Sequence, residues 1–200
     1  MNGALAVTSG LRRILEFIAH GMVVVAGWAY LATAIFITGD VVTRAFFGFS
    51  SGATTEISGY LLAFGISWSL AHTLAERAHI RIDLLVNKAP LGLRVWMHLV
   101  ALLALAGLVA ILCWSAANVI EETLLFNAHD LSALHIPMIV PQGLWAIGFF
   151  AFAVFATVLT LEVVVLLALG RPAEIDALMH PLDADEESAE AIRAVEEARQ

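Results

Sequence analysis

Seven histidines stand in a chain of 200 residues, and imidazole is a common ligand for metals and haem and a proton carrier near neutral pH. Three of them, His20, His72 and His98, lie inside long apolar runs, near the ends that should share one side of a helical bundle. Two imidazoles at matched depth on facing helices are what bis-histidine haem ligation needs. The fourth apolar run has no histidine, however, and no second histidine layer lies towards the other end. Metal ligation would need converging groups, and no His-Glu-x-x-His motif or close His/Cys cluster occurs. The single cysteine, Cys113, sits among apolar neighbours and reads as a small hydrophobe.

Carboxylates are the other candidates. Glu162 lies inside an apolar run, where an ionisable group suggests an ion or proton path or a polar partner. Its simpler reading is a carboxylate near the interface, paired with a base such as Arg12 or Arg13. Glu56 opens another run, where it would face the positive end of a helix dipole and pair with Arg44 or meet another membrane subunit. There is no Ser-His-Asp set, glycine-rich phosphate loop or pair of deep carboxylates. No catalytic, cofactor-binding or metal-ligating residue is assigned, and the chain is not read as an enzyme.

The elements that must position these residues are four apolar runs: 14–38, 57–75, 95–117 and 144–169. Crossing a hydrocarbon core takes roughly 20 apolar residues in a helix. Membrane strands would alternate in polarity over about ten residues, and these runs are continuous. The expected fold is an all-α integral membrane protein with four transmembrane helices. The first run exceeds the 7–15 apolar residues of a signal-peptide core, so it is expected to remain in the protein.

Composition agrees. Apolar residues make up 60% and charged ones 14%, against about 25% charged in soluble domains. The net charge of −8 belongs mainly to residues 171–200, which hold nine of the 18 acids and three of the ten bases. Nine of the ten bases fall before the first run, between the second and third, or after the fourth. Basic loops stay cytoplasmic, so both termini should be inside: 1–13 a cytoplasmic N-terminus, 14–169 the membrane domain and 170–200 an acidic cytoplasmic tail. A bacterial inner membrane is the expected location, and no basic surface suits nucleic acid.

The connection after the second run, Glu76–Arg94, places Ala75, Ala78, Ile82, Leu85 and Ala89 on one helical face and Arg77, Arg81 and Lys88 on another. It is expected to lie amphipathically along the inner membrane surface. Thr54 or Thr55 is placed to cap the second helix. Pro137 and Pro141 suit the start of the fourth, where proline is tolerated.

Over Ile14–Leu169 the chain resembles the small membrane subunit of tripartite ATP-independent periplasmic (TRAP) transporters, the DctQ-like family. The likeness rests on the four-helix, both-ends-inside layout and on Glu56 followed by Tyr60 and Trp68. It rests most on His79-Ile80-Arg81-Ile82-Asp83-Leu84-Leu85, with Ile136-Pro137 and Pro141 before the last helix. It implies a scaffold without catalysis or cofactor in a sodium-driven importer of organic acids. Its partners would be a large membrane transport subunit, which moves the substrate, and a periplasmic substrate-binding protein. His79, Arg81 and Asp83 would fix the connection between helices 2 and 3, and the stretches Arg44–Glu56 and Asn118–Gln142 would face the partners. The alternatives from other classes are a haem-bearing redox subunit and a small self-sufficient exporter using Glu162.

Overall fold

The computed structural model describes residues 2–76, 89–131 and 134–179. Among these residues the protein is all helical, apart from one isolated bridge between His129 and Pro137. The helices are α1 (Asn2–Phe47), α2 (Thr54–Ala75), α3 (Leu91–Phe126), α4 (Ile139–Ala168) and α5 (Pro172–Met179).

The long helices outrun the apolar segments that signal them. α1 has 46 residues where 14–38 is apolar, and α3 has 36 where 95–117 is apolar. Hydropathy marks where a helix leaves oil, whereas a helix ends only where the backbone is made to turn. α1 stops at Gly48, which takes φ +67. α3 stops at Asn127 in the left-handed region, with Ala128 N–H on Thr123 O at 3.0 Å and Asn127 N–H on Leu124 O at 3.4 Å. That closure satisfies carbonyls the last turn would leave open. α4 closes the same way on Gly170, at φ +66. Pro172 then starts α5, its missing N–H costing nothing at the first helical position.

α4 is the central helix, touching α1, α2, α3 and α5. It also buries most, with Phe152, Phe155, Ala156, Leu159, Val163 and Leu166 inside. α1 and α2 pack together and both meet α4, while α3 packs on α4 and α5. Two glycines allow the tightest crossings. A Cβ on Gly148 of α4 would stand 2.6 Å from the backbone carbonyl carbon of Ser67 in α2. One on Gly65 of α2 would stand 2.5 Å from the Tyr30 ring of α1.

Much of the outer face is apolar. Phe17, Trp28, Trp114 and Ile111 are all more than 60% exposed, and a surface like this belongs in lipid or against a partner. Three described helices are long and apolar enough to cross a membrane: α1 over Leu5–Phe47, α3 and α4. α2, the fourth expected span, is not among them. Its apolar run is diluted by Ser58, Ser67, Ser69, His72 and Thr73. Several of those hydroxyls donate to carbonyls one turn back: Ser67 to Phe64, Ser69 to Gly65 and Thr73 to Ser69, at 2.7–2.9 Å. Satisfied this way, they are cheap to bury.

Candidate functional site

Polar chemistry concentrates at the two ends of the bundle. At the arginine-rich end, Glu162 is 4% exposed and accepts a hydrogen bond from Arg12 Nε at 2.8 Å. Arg12 also bonds Glu16, one turn further along α1. Of the two bases expected beside Glu162, Arg12 is therefore the partner. The helix phase explains it: Arg12 shares the inward face of α1 with Ala19 and Ala26, both buried.

The same end holds a second cluster. Arg94 Nη1 lies 3.2 Å from Asp176 Oδ2, and His98 Nε2 lies 3.6 Å from Asp176 Oδ1. His98 is buried on α3 and Asp176 is on α5. Ile175 and Met179, one turn apart on α5, sink into the core beside them at 0% and 2% exposure. From the sequence this helix counts only as part of the acidic tail 170–200, with no packing role. The available signals were Gly170 followed by Arg171-Pro172, a stop and restart, and the four-residue spacing of Ile175 and Met179 in an acidic stretch.

The three histidines expected at one depth do not converge. His20 and His72 touch edge to face across α1 and α2, with ring centroids 5.4 Å apart, while His98 belongs to the Asp176 cluster. Two rings in direct contact leave no gap for a planar macrocycle between them. No group of three or more His, Cys, Asp or Glu side chains among the described residues could hold a metal ion.

At the opposite end, Asp40 clasps the α1–α2 loop. It accepts the Ser51 N–H at 2.8 Å and the Ser50 hydroxyl at 3.1–3.2 Å. Ser51 Oγ in turn accepts the Ala53 N–H at 3.3 Å. This corrects the expected capping: the N-cap of α2 is Ala53, with no side-chain cap bond, and neither Thr54 nor Thr55 fills that role. The loop polar groups are satisfied from Asp40, across the turn. Thr123 and Gln142 bond at 2.6 Å and tie α3 to α4. Residues 128–130 and 136–138 pair briefly, through Asp130 N–H on Ile136 O and Met138 N–H on Ala128 O, and so fold back the α3–α4 connection.

The sequence-predicted residues are dispersed by this geometry. Trp68 Nε1 donates to Leu144 O at 2.8 Å and stitches α2 to α4. Tyr60 reaches Met138 Sδ at 3.6 Å and so contacts the connection ahead of α4. Pro141 stands in the first turn of α4, and Pro137 in the bridge before it. Glu56 lies in the first turn of α2 and Arg44 is exposed in the last turn of α1; no ion pair joins them. His79, Arg81 and Asp83 lie outside the described residues, as does most of the expected amphipathic connection.

The six buried polar side chains of the described residues are all engaged within this chain. Besides Asp40, His98, Thr123 and Glu162, Thr33 donates to Ala29 O at 2.8 Å and Ser67 to Phe64 O. None of them converges on a shared space in the middle of the bundle.

Among known families, the model of the tripartite ATP-independent periplasmic transporters, DctQ component, matches residues 33–166. No curated protein and no solved structure matches the chain.

Proposed function

The chain belongs to the DctQ component family of tripartite ATP-independent periplasmic transporters, and from that premise we propose that it is the non-transporting scaffold of a sodium-driven importer of organic acids. It braces a large membrane subunit that carries the substrate, and it helps seat a periplasmic substrate-binding protein.

The observation that carries this reading is the use of its buried polar groups. A transporter that moves substrate needs converging polar groups near the bilayer midplane, commonly at broken helices. Here the buried polar side chains close loops, satisfy their own helices or tie helix ends together, and α1, α3 and α4 run unbroken. What remains to offer a partner is the outer apolar face and the connections at the two ends. Sodium coupling and organic-acid substrates rest on the family likeness.

Four spans with both termini in the cytoplasm complete the proposal. Polar landmarks on three helices support the span lengths. Arg12 and Asp40 are 28 residues apart on α1, and Arg94 and Glu121 are 27 apart on α3. At about 1.5 Å per residue both separations come to about 40–42 Å, the thickness of a bilayer with its headgroups. Glu56 and Glu76, 20 residues apart around α2, would stand about 30 Å apart, the hydrocarbon thickness alone. Arg44, Glu56, Tyr60, Trp68, Pro137 and Pro141 would shape the periplasmic contacts, and His79, Arg81 and Asp83 the cytoplasmic connection.

The test is purification in mild detergent with identification of the co-purifying chains. A much larger polytopic protein should accompany this one. Reconstituted alone into vesicles, the chain should take up no organic acid under a sodium gradient. Uptake by this chain alone would overturn the scaffold reading.

A further inference from the structure

Two ion-pair clusters share the arginine-rich end, and each joins a residue inside the family-matched stretch 33–166 to one outside it. Glu162 is held by Arg12, and Arg94 with His98 by Asp176. Arg12 sits on a helix of 46 residues that is anchored along α2 and α4. Asp176 sits on α5, of which eight residues are described.

Ile175 and Met179 are buried, Leu178 packs partly buried against the same core, and Asp176 supplies the ionic contact to α3. Gly170, in the left-handed region, marks a turn between α4 and α5. The docked contact is imperfect as well: Arg94 Nε and Asp176 Oδ1 are buried without a hydrogen bond. Segments with few buried contacts and partly satisfied polar groups are the first to open in a folded protein. Beneath α5 lies a small polar space lined by Arg12, Glu16, Leu74, Phe155, Leu178 and Met179. Lifting α5 would expose it and the neighbouring Arg12–Glu162 pair.

We propose that α5 is a releasable strap: docked, Asp176 clasps α3 through Arg94 and His98 and α5 covers the arginine-rich end of the bundle; released, it uncovers that end without unfolding the long helices. The strap holds whichever side of the membrane this end faces, and it does not depend on the scaffold reading.

The test uses the full chain in detergent with Cys113→Ser as parent, so that only an introduced thiol reacts. Met179→Cys is treated with a charged maleimide. In the parent it should react slowly compared with the same chain unfolded in SDS. Asp176→Asn should speed the reaction about tenfold or more by favouring local opening. Raising salt to about 1 M should act in the same direction by screening the pair. Asp176→Glu, which keeps the charge, should return the rate towards the parent's. A thiol at Ala156, 1% exposed in α4, should stay slow throughout. Equal rates for Met179→Cys with and without Asp176→Asn would overturn the clasp. A parent thiol already as fast as the unfolded chain would show that the strap does not close. Acceleration at Ala156→Cys in step with Met179→Cys would mean the whole bundle loosens, which also overturns a separable strap.

Discussion

Arg12 Nε and Glu162 Oε2 meet at 2.8 Å across 150 positions of sequence, joining the first long helix to the last near one end of the bundle. Glu162 is nearly enclosed, whereas the Arg12 side chain keeps 26% exposure and a second carboxylate, Glu16. The pair therefore gives a buried carboxylate a cationic partner within the apolar surroundings of α4.

Removing Arg12 should cost more than removing Glu162. Arg12→Gln strands a buried carboxylate, and loss of one partner of a buried pair costs about 3–5 kcal/mol. Glu162→Gln leaves an arginine that still has Glu16 and partial access to solvent, so a smaller loss of about 1–2 kcal/mol is expected. Thermal unfolding in one detergent measures both. The Arg12→Gln/Glu162→Gln double variant should be more stable than Arg12→Gln alone; an additive loss would show that the two side chains do not couple.

Gly148→Ala should destabilise the α2–α4 crossing. The added methyl would meet Ser67 backbone at 2.6 Å, and backbone cannot swing aside as a side chain can. Overpacking of this kind costs about 1–3 kcal/mol. Gly65→Ala should cost less, because its obstacle is the far end of the Tyr30 ring. A lower melting temperature for Gly148→Ala than for Gly65→Ala is the expected order.

Trp68→Phe keeps a ring in tilted contact with Phe64, whose centroid is 4.5 Å away, but removes the donor to Leu144 O. A loss of about 0.5–1.5 kcal/mol is expected for one such bond. A melting temperature equal to the parent's would show that the indole bond contributes nothing to the α2–α4 contact.

Asp40→Ala should free the loop between α1 and α2. Ser50 and Ser51 lose their shared acceptor, and loops are where proteases cut first. Limited proteolysis should nick residues 48–53 faster in the variant while α3 and α4 stay intact. An unchanged cleavage pattern would count against the clasp.

The candidate site was legible in uneven measure. Glu162 and its need for a base could be read because a lone carboxylate in an apolar run demands an explanation. Which arginine supplied the base depended on the phase of α1. The roles of Trp68 and Tyr60 could not be read from their neighbours in the chain, because their partners Leu144 and Met138 are more than 70 residues away. α5 was hidden by its place at the head of the acidic stretch 171–200, although Ile175, Leu178 and Met179 pack against the core.

Composition and the spacing of apolar residues determined by themselves that this is a helical chain with a lipid-compatible surface, since burying no charge over some 20 residues leaves few other solutions. Glycines and asparagine at the ends of the helices likewise carried the stops, because local backbone preference decides them. Only the tertiary structure decided the rest: α4 as the centre, Arg12 rather than Arg13 on Glu162, Asp40 in place of a threonine cap, and Asp176 on Arg94. Each of those depends on which helix faces land against each other, and that is set by close approaches such as Gly148 on Ser67, between residues that the sequence keeps far apart.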